Sequence, residues 1–275
     1  MKSISVIAIL IAVGISAAQP AIQVGGFAPE PVTDTPEKTE LPVRIACFPH
    51  LIAGKGWTTS FYVTNVDAGQ PAIFQLRMMD PDGRGLLVPL QLNFGEPTIG
   101  SVIYGTLRPG ETIVVEIAGP AASGVAYGWA ELTSVSTFAG FAGYATYRNQ
   151  TPEQAEQSYT VPLEAKPRTG MMLMMDNRAG STTGAAVVNL SPYYAADFYV
   201  RVVNQDGTHG LNRVLRLAPR AQITLAIHDL FPEVKDCLAG VEFEARDSWT
   251  QMAGFGVRVG PDGQVKYLPA FSRGK

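Results

Sequence analysis

An internal repeat is the feature of this sequence that most constrains its fold. Residues 56–83 align with residues 180–207 at an offset of 124 positions, without a gap and with ten identical residues. Within this alignment the phrase TTSFYVTN (58–65) returns as TTGAAVVN (182–189). A match of this length indicates that one folding unit has been duplicated. The fold must therefore accommodate two related units in series.

Weaker matches extend the repeat toward the C-terminus in the same order. TLRPGETIVVEI (106–117) matches RLAPRAQITLAI (216–227) at an offset of 110, so the first copy carries about 14 additional residues, around 93–105. We expect these residues to form a longer loop or an extra hairpin. Two shorter matches are AGF (139–141) with AGF (253–255) and VPL (161–163) with LPA (268–270).

The side-chain pattern in each copy alternates between apolar and polar residues, as half-buried strands require. In AIFQLRMM and ADFYVRVV the apolar sets are Phe74, Leu76 and Met78, and Phe198, Val200 and Val202. An Asp-Gly pair follows each strand and favours a tight turn, because glycine tolerates a positive φ. One short helical segment is expected, at 228–237. The pattern predicts an all-β chain of two tandem antiparallel β-sandwich domains, at 44–165 and 166–275.

The first residues have the layout of a secretory signal peptide. Lys2 precedes an apolar run from Ile4 to Ala17, and small residues precede a cleavage point before Gln19. The run is shorter than the roughly 20 residues that a membrane-spanning helix needs. We predict export to the periplasm or the cell exterior, cleavage of residues 1–18, and no membrane span after cleavage.

Residues 19–43 are rich in proline and acidic residues and lack any period, which predicts a flexible leader before the first sandwich. The chain has a formal net charge of −3, which becomes −4 once Lys2 is removed. The sequence has no basic run or patch. Its composition therefore argues against nucleic acid and against anionic membrane surfaces as partners.

The first copy resembles a repeat of uncharacterised secreted bacterial proteins. The resemblance rests on CFPHLIAGKGWTTSFYVTNVDAGQPAIFQLRMMDPDG (47–83), LRPGETIVVEI (107–117) and AGFAGYATY (139–147). That repeat has an FPxF-A-x-G-x-GW-x-T start, a strand ending in asparagine and a D-x-G turn. The first copy matches that repeat well over residues 45–163. The second copy, which has MMLMMDNRAGS in place of FPHLIAGKGW, matches it loosely. The resemblance implies export and an immunoglobulin-like or fibronectin-like β-sandwich, and it brings no catalytic residues.

Residues with catalytic or metal-binding chemistry form no recognisable set in the sequence. The G-x-S-x-G elbow of many serine hydrolases is absent, and His50, His209 and His228 do not recur between the copies. Zinc sites need clustered Cys and His, and MMLMM (171–175) aligns with a strand, which favours core packing over soft-metal binding. Residues 80–83 (DPDG) lack the further carboxylates of a calcium loop. We predict no catalytic, metal-binding or cofactor-binding residues.

Aromatic side chains in loops are the candidates for ligand contact. Trp57 lies in a Gly-rich turn, and Tyr193 and Tyr194 lie in a loop where the first copy has Gly69 and Gln70. Exposed rings of this kind can stack on sugars or anchor a protein partner. For Trp57 the alternative is that its ring caps the end of the sandwich core.

The two cysteines, Cys47 and Cys237, allow two interpretations. In an oxidising compartment they could form a disulfide that ties the start of the first copy to a late loop of the second. Alternatively, each is a separate buried thiol, because a free cysteine packs well as a small apolar residue. The sequence does not decide between them.

Three functions follow from these observations. The leading hypothesis is an exported, non-enzymatic two-domain β-sandwich protein with a structural or interaction role at the cell surface or outside the cell, with another surface protein or a polysaccharide as its partner. The second is a carbohydrate-binding module that uses Trp57, Tyr193 and Tyr194. The third is an enzyme with an unfamiliar site at the domain junction, where histidines would have to meet carboxylates in a cleft.

Overall fold

The computed structural model describes residues 44–119, 124–134, 140–151 and 154–272. The predicted signal peptide (1–18) and leader (19–43) lie outside the described residues. Within them the chain forms nineteen strands and one helical turn, and the paired strands are antiparallel. The predicted all-β class is therefore confirmed.

The first half of the chain contributes the following strands: β1 (Arg44–Ala53), β2 (Trp57–Asn65), β3 (Ala72–Met79), β4 (Val88–Leu92), β5 (Thr98–Gly100), β6 (Val102–Leu107), β7 (Thr112–Ala118), β8 (Ala126–Ser134), β9 (Phe141–Thr151) and β10 (Gln154–Pro162). The second half contributes β11 (Gly170–Asp176), β12 (Thr182–Asn189), β13 (Ala196–Val203), β14 (His209–Leu217), β15 (Gln222–Ala226), α1 (Ile227–Leu230), β16 (Leu238–Ala245), β17 (Met252–Val259), β18 (Val265–Leu268) and β19 (Phe271–Ser272).

These strands form four sheets, two in each half, and the strand order repeats. Sheet I has the order β1-β8-β3-β6, and sheet II has β10-β9-β2-β7-β4-β5. In the second half, sheet III has the order β19-β11-β16-β13-β14, and sheet IV has β18-β17-β12-β15. Strands β11-β16-β13-β14 thus repeat the order of sheet I, and β18-β17-β12-β15 repeats the first four strands of sheet II. The duplication visible in sequence is also a duplication of strand order.

Strand register corrects one of the sequence matches. Val63 pairs with Gly143 across β2 and β9, and its counterpart Val187 pairs with Gly254 across β12 and β17. The second AGF therefore corresponds to the triplet that contains Gly143, and its predicted match to residues 139–141 is wrong. The error arose because the first copy has two similar triplets, AGF and AGY, three residues apart.

The second threonine of the repeated phrase ties neighbouring strands together in both halves. Thr59 and Thr183 are fully buried. The Thr59 hydroxyl accepts a hydrogen bond from the Ile52 N–H at 3.1 Å and donates to the Ile52 carbonyl at 2.6 Å. The Thr183 hydroxyl accepts from the Asp176 N–H at 3.0 Å. The residue recurs because a buried hydroxyl must satisfy its own hydrogen bonds and here satisfies backbone groups as well.

Alternate side chains of the strands fill a hydrophobic cluster in each half. The buried sets of β3 and β13 are those the alternation predicts, namely Phe74, Leu76, Met78, Phe198, Val200 and Val202. In β11, Met171, Leu173 and Met175 are buried, so alternate residues of the methionine run belong to the second core. Burial of one such large side chain contributes about 1.5–3 kcal/mol. The sheets of each half face one another across these clusters in a β-sandwich-like arrangement.

The additional residues of the first half form an extra hairpin at the edge of sheet II. Strand β4 pairs with β7 and with β5, and the hairpin turn places Asn93 and Phe94 at φ of 47° and 61°. Two successive positive φ angles match the twist of a tight hairpin. Phe94 is exposed at this turn. The hairpin accounts for the additional residues of the first copy, which the change of offset from 124 to 110 predicts.

The two Asp-Gly segments are turns in the structure. Gly83 and Gly207 both have a φ of 81°. Asp80 uses its carboxylate within its own turn, where Oδ1 accepts hydrogen bonds from the N–H groups of Asp82 at 3.0 Å and Arg84 at 2.8 Å. The turn at Gly207 closes the β13–β14 hairpin, as the sequence predicts. The turn at Gly83 folds the chain back on the end of β3, where Gly85 forms a bridge with Met79, before the chain crosses to β4 in sheet II. In the part of the chain that the structure describes, no helix is long and apolar enough to cross a membrane.

The two halves pack against each other through a buried junction. It contains one cluster of apolar side chains from both halves, which are Cys47, Met79, Trp129, Val188, Leu190 and Ala253. Several side chains of sheet IV, among them Ala186 and Phe255, also belong to the hydrophobic cluster of the first half. Sheet IV is therefore covered on both of its faces.

Polar groups cross this junction as well. The Gln222 side-chain amide donates to the carbonyls of Pro49 at 2.6 Å and Gly128 at 2.9 Å. The Trp129 indole N–H donates to the Arg220 carbonyl at 3.0 Å. The Arg220 guanidinium lies 3.4 Å from the buried Glu131 carboxylate. These contacts fix the relative orientation of the two halves, because each needs a defined geometry.

Candidate functional site

Two neighbouring loops at one end of the second half form the candidate site. Residues 190–195 connect β12 to β13, and residues 246–251 connect β16 to β17. The Leu190 N–H donates to the Gln251 carbonyl at 3.0 Å, which holds the loops side by side. Loops carried on a rigid sheet are common positions for binding residues.

The asparagine that ends the repeated phrase anchors the first of these loops. The Asn189 Nδ2 group donates to the carbonyls of Tyr194 and Ala218, each at 2.9 Å, and its Oδ1 accepts from the Ser191 N–H at 3.0 Å. In the first half, Asn65 holds the corresponding loop in the same manner. The repeat therefore supplies the loop anchor, while the aromatic residues on the loop belong to the second half alone.

Three exposed aromatic rings meet on these loops, and we call Tyr193, Tyr194 and Trp249 the aromatic patch. Their exposed fractions are 79%, 60% and 59%. The ring centroids of Tyr193 and Tyr194 are 6.3 Å apart with an interplanar angle of 71°, and those of Tyr194 and Trp249 are 5.6 Å apart at 77°. Contiguous exposed apolar surface of this kind marks interaction sites in soluble proteins.

The ring geometry limits what the aromatic patch can bind. Coplanar rings form a flat platform for the face of a sugar, whereas neighbours in edge-to-face contact leave a corner, or notch, where the face of one ring meets the edge of the next. A notch suits a group that protrudes, such as a side chain or a proline ring. The tyrosine hydroxyls and the indole N–H supply hydrogen-bonding groups at the ring edges.

Trp57 is not part of this surface. It is only 2% exposed, and its ring packs edge-on against Tyr159 at a centroid distance of 6.3 Å. Tyr159 in turn stacks on buried Tyr147 at 4.8 Å. The prediction that Trp57 contacts a ligand is therefore corrected. Its ring belongs to the core of the first half, because the turn before β2 directs it between the sheets.

The two cysteines are separate thiols in the structure. Cys47 is fully buried in the junction, whereas Cys237 is partly buried beside the second core, with its Sγ 3.5 Å from the Val234 carbonyl oxygen. Burial raises the pKa of both thiols, and the negative charges of Glu164 and Asp236 raise it further. The possible disulfide is therefore not formed, and neither thiol is activated as a nucleophile.

The three histidines lie in different elements with different neighbours. His50 is buried between Tyr147 of the first half and Phe255 of the second, and neither ring nitrogen has a hydrogen-bond partner. Burial lowers the pKa of His50 to about 4. His209, at the start of β14, lies 4.0 Å from Glu242, and His228, in α1, lies 3.4 Å from its neighbour Asp229.

The junction offers buried polar groups but no assembled acid–base pair around His50. The His50 ring packs against the rings of Tyr147 and Phe255, and the Glu131 carboxylate of the junction pairs with Arg220. Among the described residues, no group of three or more His, Cys, Asp or Glu side chains is arranged to hold a metal ion. A histidine with no bonded partner has no group to orient it or to receive its proton.

Trp249 is the site residue that sequence reasoning missed. It lies in the polar segment RDSWT (246–250), 55 positions beyond Tyr194, and no periodicity marks it. The available signal was its setting, because a large aromatic residue in a charged loop between two strands has no core face to occupy.

In the comparisons with known proteins, no family model and no curated protein matches this chain.

Proposed function

We propose that this chain is an exported, non-enzymatic interaction protein that recognises its partner through the aromatic patch. In this proposal the two halves are tandem immunoglobulin-like β-sandwich domains, and the first serves to hold the second in a fixed orientation. The observation that carries the proposal is the meeting of Tyr193, Tyr194 and Trp249 on two adjacent loops. Aromatic residues of this type dominate the binding energy of many protein interfaces.

Export is supported by the layout of residues 1–18, and the tandem arrangement is supported by the repeated strand order. A rigid junction favours binding, since loops on a fixed scaffold lose less conformational entropy when a partner docks.

The perpendicular rings favour a partner with protruding groups, which is a protein or peptide surface. A polysaccharide is the second candidate. It is favoured by the openness of Tyr193, whose ring is the most exposed of the three and can stack on one sugar unit.

The test is a binding screen of the predicted mature chain, residues 19–275, against an array of short peptides and an array of glycans. The variants are Tyr193→Ala and Trp249→Ala, and the matched control is Tyr104→Ala, which removes an equally exposed tyrosine from the first half. We expect binding by the parent chain and the control, and at least a tenfold loss in the patch variants, which corresponds to about 1.4 kcal/mol. Binding that survives both patch substitutions would contradict the proposal, and the array that responds identifies the class of partner.

A further inference from the structure

The aromatic patch and the leader have complementary chemistry, although they lie at distant positions in the sequence. We infer that the aromatic patch accepts a proline-rich extended peptide, and that its resident occupant is the chain's own leader, residues 19–43. This inference rests on the proposed function, because it names the class of partner that the same surface binds.

The shape of the patch suits a proline-rich chain. Tyr194 stands nearly perpendicular to both Tyr193 and Trp249 and makes edge-to-face contact with each, so a notch lies at each of the two corners where a ring face meets a ring edge. Surfaces lined with aromatic rings recognise proline-rich peptides, because pyrrolidine rings pack against aromatic faces and an extended proline-rich chain loses little entropy on binding.

The leader has the composition of such a chain. Residues 19–43 contain five prolines, at positions 20, 29, 31, 36 and 42. That is one residue in five, against an average of about 5%. Pro29 and Pro31 flank a single glutamate in the segment APEPV, so two proline rings follow one another closely along the chain.

The leader is also long enough to reach the patch. The leader ends where β1 begins, at Arg44, which pairs with Ser134 at the end of β8. The patch lies toward the other end of the first half, because the Arg220 N–H binds the Ser191 carbonyl of the patch loop while Arg220 also meets the turn at Gly83. The ten residues of β1 span about 33 Å. The 13 residues from Pro31 to Arg44 reach about 40 Å when extended, and the whole leader of 25 residues reaches about 78 Å, so Pro31 can return past the length of β1 to the patch.

Electrostatics permits this contact without driving it. The leader carries four carboxylates and Lys38. Beside the patch, the exposed guanidinium groups of Arg216 and Arg246 lie 2.9 Å and 3.5 Å from the less exposed carboxylate of Asp197. Asp247 is an exposed carboxylate on the same loop. With both signs present, ring packing rather than charge must supply most of the affinity.

The contact has a consequence for recognition. A tether of this length gives the leader an effective concentration near the millimolar range, so even a weak contact keeps the patch mostly covered. An external proline-rich partner must then compete with the leader. The patch would bind such a partner more tightly once the leader is weakened.

The test uses tryptophan fluorescence, since Trp249 is exposed while Trp57 and Trp129 are buried. Quenching by acrylamide therefore reports whether Trp249 is covered. In residues 19–275, the change P29A/P31A should raise the quenching constant about twofold or more, given an effective concentration near a millimolar. The control change T33A/T35A alters the same leader without removing proline and should leave the constant unchanged. A Trp249→Phe chain gives the quenching of the two buried rings.

Three results would overturn the inference. They are equal quenching in the parent and P29A/P31A chains, an equal rise in T33A/T35A, and protection of Trp249 that grows with protein concentration, which would mean contact between chains. A synthetic peptide of residues 19–43 added to the P29A/P31A chain should restore protection. Each of these readings is independent of the array screen, so the proposed function and this inference can fail separately.

Discussion

The isolated histidine at the junction leads to a prediction about stability below neutral pH. His50 is 2% exposed, and both ring nitrogens lack a hydrogen-bond partner. Burial lowers its pKa from 6.5 to about 4 in the folded chain. The imidazole therefore stays neutral in the folded chain over a pH range in which the unfolded chain already binds a proton.

The sign and size of the effect follow from this difference in proton uptake. Between pH 6.5 and about 4 the unfolded state binds more protons, so stability falls as the pH falls. Well above pH 6.5 His50 is neutral in both states, so it causes no loss of stability there. With about 1.36 kcal/mol for each pKa unit, the loss by pH 4 is about 3 kcal/mol, a large part of the 5–15 kcal/mol that stabilises a typical domain.

The assay is urea unfolding of the parent chain at pH 7.0, 5.5 and 4.2. Two variants isolate the histidine, since His50→Leu and His50→Gln both remove the titrating group. We expect both to lose about 3 kcal/mol less than the parent between pH 7.0 and 4.2. At pH 7.0 His50→Leu should be at least as stable as the parent, because it removes ring nitrogens that are buried without partners, whereas His50→Gln keeps a buried polar group in that place. A parent chain and a His50→Leu chain with the same pH dependence would refute the argument.

Three further predictions concern the junction, the strands and the thiols. Glu131→Gln leaves the guanidinium of Arg220 without its ion pair, so the free energy of unfolding in urea should fall by about 1–3 kcal/mol, and an unchanged midpoint would mean that the pair contributes nothing. Gly143→Ala would drive a methyl group into the backbone of β2, and its thermal midpoint should fall by several degrees, for a cost of about 3 kcal/mol. Cys47 and Cys237 should both react with a thiol reagent after unfolding without reductant, and a peptide that joins them in a non-reducing digest would contradict the structure.

The strands could be predicted from sequence because their signal is local. In β13 the alternation of apolar and polar residues identifies the buried set, Phe198, Val200 and Val202, without any knowledge of the partner strands. The turns after β3 and β13 were predictable for the same reason, since Asp-Gly has a local conformational preference. Matching the two AGF triplets failed because the register between strands depends on pairings that one strand does not contain.

The candidate site was predictable only in part. Tyr193 and Tyr194 stand out as consecutive aromatic residues in a loop, but Trp249 joins them through a contact between loops 55 residues apart. Trp57 shows the converse difficulty. A tryptophan in a Gly-rich turn can point outward or inward, and its burial is decided by the strand that receives it.

The altered repetition of TTSFYVTN as TTGAAVVN now has a physical explanation. The residues common to both phrases serve the fold, since the second threonine and the asparagine bond to backbone groups and the valine fills the core. The two phrases differ at four positions. One of them, Phe61 and its counterpart Ala185, lies on the core face. The other three lie on the opposite face of the strand, and they are Ser60, Tyr62 and Thr64 in β2, and Gly184, Ala186 and Val188 in β12.

In β2 this opposite face makes polar and aromatic contacts within its own sheet, where Tyr62 stacks on Tyr144 and Thr64 binds Thr112. In β12 the first half covers the same face, so Ala186 and Val188 must be small and apolar. A strand buried on both faces loses its alternation and becomes a continuous apolar run. The loss of alternation in the second copy therefore results from burial of β12 at the junction. The same comparison between copies can locate buried junctions in other duplicated β-proteins.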